Sequence, residues 1–149
     1  MIRIKVLAIV TGLSLAASIT VPGVARADDQ DAIDYRVHIM RTLGEEMGAI
    51  NMILQQKAPP ESFATHVKVL AVTAETAKKA FELEVAGGHA KPEVWKNWPD
   101  FAKRLDEFVA STAELAKVAE AGGVAAAGPK VPAALTCKSC HDTYREPKK

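Results

Sequence analysis

The amino-acid sequence predicts an all-α fold, an antiparallel four-helix bundle. Three observations predict it. Apolar residues recur at steps of three and four along three long segments and part of a fourth. Short breaks rich in proline or glycine separate those segments. No stretch alternates with the period of two that a half-buried strand needs.

The chain opens on a segment that does not belong to the bundle. Arg3 and Lys5 form a positive start, Val6 to Ala17 is mostly apolar, and Ala25-Arg26-Ala27 has the small-x-small pattern of a cleavage site. Residues 1–27 therefore read as a signal peptide, and residues 28–149 as one exported domain in a bacterial periplasm. Thr11, Gly12, Ser14 and Ser18 break the apolar run, which is too short for a membrane-spanning anchor. Removing Arg3, Lys5 and Arg26 turns the formal net charge of +1 into −2. That balance provides no basic patch for nucleic acid and points to no strongly charged partner.

Asp28, Asp29 and Asp31 offer N-cap and first-turn carboxylates for a helix from about Ala32 to Lys57. Its stripe is Ile33, Val37, Met40, Leu43, Met47, Ile50 and Leu54. Gly44 and Gly48 lie near the stripe, and each costs about 1 kcal/mol relative to alanine. They suit either close approach of a flat ligand or helix, or simple exposure. Ala58-Pro59-Pro60 ends this helix. The second runs from about Glu61 to Glu84, with Phe63, Val67, Leu70, Ala74, Ala77 and Phe81 inward and His66 beside the stripe as a partly exposed polar residue. A loop, Gly87-Gly88-His89-Ala90-Lys91-Pro92, leads into a short turn at Pro92–Trp95. The third helix spans about Trp98 to Ala121, with Trp98, Phe101, Leu105, Phe108, Thr112, Leu115 and Ala119 inward, and Gly122-Gly123 stops it. Gly128, Pro129 and Pro132 interrupt the next stretch. The last helix is expected from Pro132 to Tyr144 or Arg145, with a frayed tail after it.

That last helix carries Cys137-Lys138-Ser139-Cys140-His141, which contains the only two cysteines of the chain. Two thiols three positions apart share a helix face, and each can add across one haem vinyl group. The histidine next in sequence supplies an imidazole for the iron. A redox disulfide or half of a zinc site would use the same thiols. A haem-free thiol-disulfide or metal-binding helical protein is therefore the rival reading. Against it, His38, His66 and His89 show no paired zinc-ligand spacing, and no βαβ unit surrounds the cysteines. Only 5% of residues are aromatic, so a haem would supply bulk that the alanine-rich interior lacks.

These residues together resemble the class II c-type cytochromes, the cytochrome c′ family. The resemblance rests on the motif Cys-Lys-Ser-Cys-His-Asp-Thr-Tyr-Arg at 137–145, on Tyr35-Arg36 followed by Met40, and on Lys91-Pro92-Glu93-Val94-Trp95. It implies a four-helix bundle with one covalently bound haem c per chain. It implies that Cys137 and Cys140 are the thioether anchors and His141 the proximal iron ligand. Arg36 would lie near the haem propionates or the proximal ligand, Glu93 along the haem edge, and Arg145 near the haem one turn after His141. Met40 would face the distal side. In one branch of the family a methionine there is the sixth ligand of a low-spin electron carrier. In the other an apolar residue covers a five-coordinate, high-spin iron that takes up nitric oxide or carbon monoxide. The expected job is one-electron transfer with an unidentified redox partner and no substrate turnover; gas binding is the alternative. The family also allows a homodimer through the first two helices. The prolines at 129 and 132 depart from the family's pattern and predict a shorter last helix.

Overall fold

The computed structural model describes residues 28–147. The expected signal peptide and the last two lysines lie outside the described residues. Six helices run in chain order: α1 Asp29–Leu54, α2 Phe63–Glu82, α3 Glu93–Lys96, α4 Trp98–Ala127, α5 Val131–Ala134 and α6 Cys137–Tyr144. The long helices α1, α2 and α4 are three members of the bundle. α5 and α6 together make the fourth, and α3 is the short turn predicted at Pro92–Trp95. No β-strand occurs among the described residues.

Local chemistry sets the boundaries. Asp28 caps α1 with its carboxylate on the Asp31 N–H (2.8 Å), and the Asp31 side chain returns to the Asp28 N–H. This reciprocal box satisfies two helix-start donors. α1 ends three residues before the expected Lys57, and Gln56 turns back with φ 59° ahead of Pro59-Pro60. In α4 the break falls at Gly123, where φ 58° and ψ −150° suit only glycine. One more turn continues through Ala127, and a 3-10 turn at Gly128–Lys130 joins it to α5.

The last helix differs from expectation in one respect. It is not continuous from Pro132 to Tyr144: Leu135 and Thr136 leave helical geometry and separate α5 from α6. The physical reason is a change of duty. Leu135 is buried in the core with Val131 and Ala134, whereas the segment after it presents Cys140 and His141 to a cavity. One straight helix does not present both sets to their different targets.

The core divides into two clusters. The lower one packs Ile50 and Ile53 of α1 against Phe63, Val67 and Leu70 of α2, Leu115 and Ala119 of α4, and Val131 of α5. Phe63 and Val67 are fully buried, and each such side chain contributes about 1.5–3 kcal/mol. The upper cluster holds Ala77, Ala80 and Phe81 of α2, Val94 of α3, Phe101 and Leu105 of α4, and Tyr144 of α6. Phe101 stands at its centre, 5.0 Å from the Phe81 ring and 5.1 Å edge-on from Tyr144. α1 supplies no fully buried apolar residue to this upper cluster. Its first-half stripe faces a cavity instead.

Candidate haem site

The cavity lies between the first half of α1, the upper cluster and α6, and has a volume of about 530 Å³. A smaller lobe of about 230 Å³ continues toward Leu43, Met47, Leu70 and Phe108. Met40, Gly44, Leu105, Cys140 and His141 line both. The larger volume belongs to the ordinary range of small-ligand and cofactor sites. The lining is mainly apolar, with the charged groups of Arg36, Arg41, Glu45, Arg145 and Glu146 among it.

α6 brings the thiols and the imidazole together. Cys137 lines the smaller lobe, Cys140 and His141 line both, and the two cysteines are free. Burial pushes both thiols above the usual range, and the Ser139 hydroxyl and Arg104 partly offset this at Cys140. They stay as thiols near neutral pH, the form that adds across a vinyl group. Among the described residues no group of three or more His, Cys, Asp or Glu side chains could hold a metal ion.

α1 supplies the opposite wall. Met40 is half-buried and faces the cavity, while His38 is exposed. Gly44, one turn on, is exposed and has no atom within 4 Å of where a Cβ would stand, so of the readings left open for it, room for a ligand and simple exposure both fit and helix contact does not. Gly48 is equally open but does not line the cavity. Met47 lines the smaller lobe, and Met52 is exposed.

Arg36 is the unusual residue. It is 3% exposed, its Nη2 donates to the Val85 carbonyl at 2.5 Å, and its guanidinium lies 5.3 Å from the Trp95 ring and 5.5 Å from Phe81. Its Nη1 is buried with no hydrogen-bond partner, and burial pushes its pKa below the ordinary value. A buried cation with an open donor, lining an apolar cavity, fits the carboxylate of a haem propionate. The donor set, the cavity and this open donor together fit haem c.

The other expected residues divide. Arg145 lines the cavity just past α6. Glu93 does not: it is half-exposed on α3, 3.6 Å from Lys96, and its neighbour Val94 lines the cavity instead. Trp95 donates from its indole N–H to the Phe81 carbonyl (2.9 Å), which fixes the ring that stacks on Arg36. The loop closes the open end. Lys91 N–H donates to the Tyr144 carbonyl (3.0 Å) and Glu146 N–H to the His89 carbonyl (2.8 Å). Gly87 and Gly88 take positive φ and press on Ile33 and Val37 of α1, where an added Cβ would collide.

Sequence reasoning missed the polar cluster behind α6. Asp100 accepts from the Tyr144 hydroxyl (2.5 Å) and from Arg104 Nε (2.7 Å). Those bonds, Tyr144 first, hold its carboxyl below the usual carboxylate range. Burial, and then the bond to Asp100, pushes the Tyr144 phenol up. The one available signal was the i,i+4 spacing of Asp100 and Arg104, which is common on exposed helix faces.

The comparisons agree with this geometry. The family model described as Cytochrome C' matches residues 31–145. A cytochrome c' of Rhodospirillum rubrum is 34% identical over 87% of this chain and 92% of its own length. A cytochrome c-556 of Agrobacterium tumefaciens is 32% identical over 76% of this chain and 95% of its own. Among solved structures, cytochrome c prime of Alcaligenes xylosoxidans, a ferrous arginine-to-lysine variant with nitric oxide bound, superposes with a TM-score of 0.75 at 25% identity. That match covers 83% of this chain and all of the other. With its bundle, its C-terminal thiols and imidazole, and a family match over nearly the whole described chain, the protein belongs to the cytochrome c′ family.

Proposed function

We propose that the chain carries one covalent haem c and binds a small diatomic gas, nitric oxide or carbon monoxide, on the side of the iron that faces α1. Bound haem supplies an iron with a one-electron couple and a position for such a gas. Cys137 and Cys140 anchor the ring, and His141 gives the proximal imidazole. Arg36 holds a propionate through Nη1, and Arg145 adds positive charge at the cavity wall. Ile33, Val37 and Met40 keep water from the opposite face. The observation that carries the reading is the placement of Met40 and Gly44 on α1, which line both lobes of a largely apolar cavity together with His141. The relatives support it: solved cytochromes c prime of Alcaligenes xylosoxidans hold nitric oxide or carbon monoxide. In this role the chain turns over no substrate, and it works in the periplasm after cleavage behind Ala27.

A second reading, one-electron transfer with a redox partner, is favoured by the thioether of Met40 on the cavity wall. In it Met40 is the sixth ligand and raises the potential. Absorption and spin-resonance spectra of the purified protein, with and without nitric oxide and carbon monoxide, separate the two. Gas binding predicts a high-spin ferric spectrum, unchanged in Met40→Leu, and a ferrous form that takes up carbon monoxide. A low-spin spectrum that Met40→Leu converts to high-spin would overturn it in favour of electron transfer. A band without haem stain after denaturing electrophoresis would overturn both.

A further inference from the structure

The helix that carries the haem motif is held in place by few contacts of its own. α6 is eight residues long, and of them only Tyr144 is buried; Cys137, Lys138, Ser139 and Asp142 are exposed. A helix that short has no independent stability, so its pose depends on its neighbours. Two side chains of α4 supply that dependence. Asp100 and Arg104 are one turn apart and joined at 2.7 Å. Such a pair on an exposed face ordinarily contributes little and has no wider role. Here each member has a second bond that reaches α6. Arg104 Nη1 donates to the Ser139 carbonyl (2.6 Å), between the two cysteines. Asp100 accepts from the Tyr144 hydroxyl (2.5 Å), which in turn accepts from Asn97 Nδ2 (3.2 Å). The guanidinium also lies 5.8 Å from the Tyr144 ring. Charge-assisted bonds of this kind are strong and directional.

We infer that Asp100 and Arg104 are positioning residues for the iron site: as one unit they grip α6 on both sides of His141 and so set the orientation of the proximal imidazole. The grips fall two residues before and three after His141, so tilting or rolling α6 breaks at least one of them. The inference rests on the proposed haem c reading, but not on which of the two functions the iron performs.

The test uses the haem-loaded protein and the variants Asp100→Asn, Arg104→Gln, the double variant, and Tyr144→Phe, which removes a single hydroxyl. Lys117→Gln, at an exposed residue of α4 paired with Glu114, is the control. The readouts are the g-values of the ferric protein, which follow imidazole orientation in either spin state, and haem content. Each single variant is expected to shift the g-values, and the double to shift them no further than the larger single, because the unit fails once either member is lost. The control keeps the wild-type spectrum. Wild-type g-values in Tyr144→Phe and Asp100→Asn at full haem content would overturn the inference, even if the melting temperature fell. Additive shifts in the double variant would overturn the claim that the two act as a unit. A wild-type protein without haem would instead overturn the haem reading, which the staining experiment detects separately.

Discussion

Replacing Arg36 by methionine measures whether its guanidinium has an anionic partner in the loaded protein. Nη2 is bonded to the Val85 carbonyl, and Nη1 has no partner among the protein's own atoms. A hydrogen bond to a charged group contributes about 1.5–3 kcal/mol, and a buried donor left unpaired costs about 1–3 kcal/mol. Were Nη1 unpaired in the loaded protein, the bond lost and the penalty relieved would nearly cancel. Methionine, which retains most of the apolar stem, would then cost only the stacking on Trp95 and Phe81, about 0.5–2 kcal/mol. With a propionate on Nη1, two charge-assisted bonds disappear together, a loss of roughly 3–6 kcal/mol. The stacking on Trp95 and Phe81 adds about 0.5–2 kcal/mol. Against a total stability of about 5–15 kcal/mol this is a large fraction. The assay is urea unfolding of haem-loaded wild type and variant, followed by Soret absorbance and far-ultraviolet dichroism. A fall of about 4 kcal/mol at unchanged denaturant slope is expected. A loss of no more than about 2 kcal/mol, which the stacking alone supplies, would refute the propionate contact. Arg36→Lys separates charge from shape: one ammonium reaches one of the two acceptors, so about half the loss is expected.

Three further outcomes are expected from the same structure. The folded Asp100 carboxyl lies below its unfolded value, so its contribution is complete above about pH 4 and is lost as pH falls through the folded value. The Tyr144 phenol is raised, so its contribution is complete below about pH 10 and is lost as pH rises through the folded value. Melting temperature against pH should therefore fall at both ends, with the acid slope shallower in Asp100→Asn and the alkaline slope shallower in Tyr144→Phe; unchanged slopes would contradict both couplings. Gly48→Ala should stabilise the protein by about 1 kcal/mol in urea unfolding, because the helix gains propensity and the new methyl meets nothing. Gly87→Ala should destabilise it, because φ is +135° and the methyl would stand 2.8 Å from Ile33 Cδ1; a gain there would show that the loop does not press on α1 as described.

Much of the bundle was legible because period alone reports burial where helices pack on one another. The predicted inward residues of α2, from Phe63 to Phe81, are all buried, and Phe101, Leu105, Thr112, Leu115 and Ala119 of α4 likewise. The stripe of α1 behaves differently: of its seven predicted residues only Ile50 is fully buried. Its first half faces a cavity, and hydropathy does not distinguish a wall of protein from a wall of cofactor. Cys137, Cys140 and His141 were legible because their chemistry is local in sequence. Arg36 as a buried cation was not, since its partner is a backbone carbonyl 49 residues on, which leaves no trace in residue type. Glu93 was expected at the haem edge by resemblance, and the structure puts its side chain by Lys96. The prolines announced a shorter last helix but not the break at Leu135–Thr136, which depends on what the two halves must touch.

That break orders the chain's information. Every residue of the lower core cluster precedes Cys137. A polypeptide growing from its N-terminus thus has every residue of its lower core before either thiol has been made. The attachment motif follows the lower core's residues, and of the upper cluster's buried residues Tyr144 lies beyond it. Early termination or trimming of the final segment would remove the cofactor and leave the lower core's own residues untouched. The failure would be colourless, and would cost the upper cluster Tyr144 while the lower core kept all its residues.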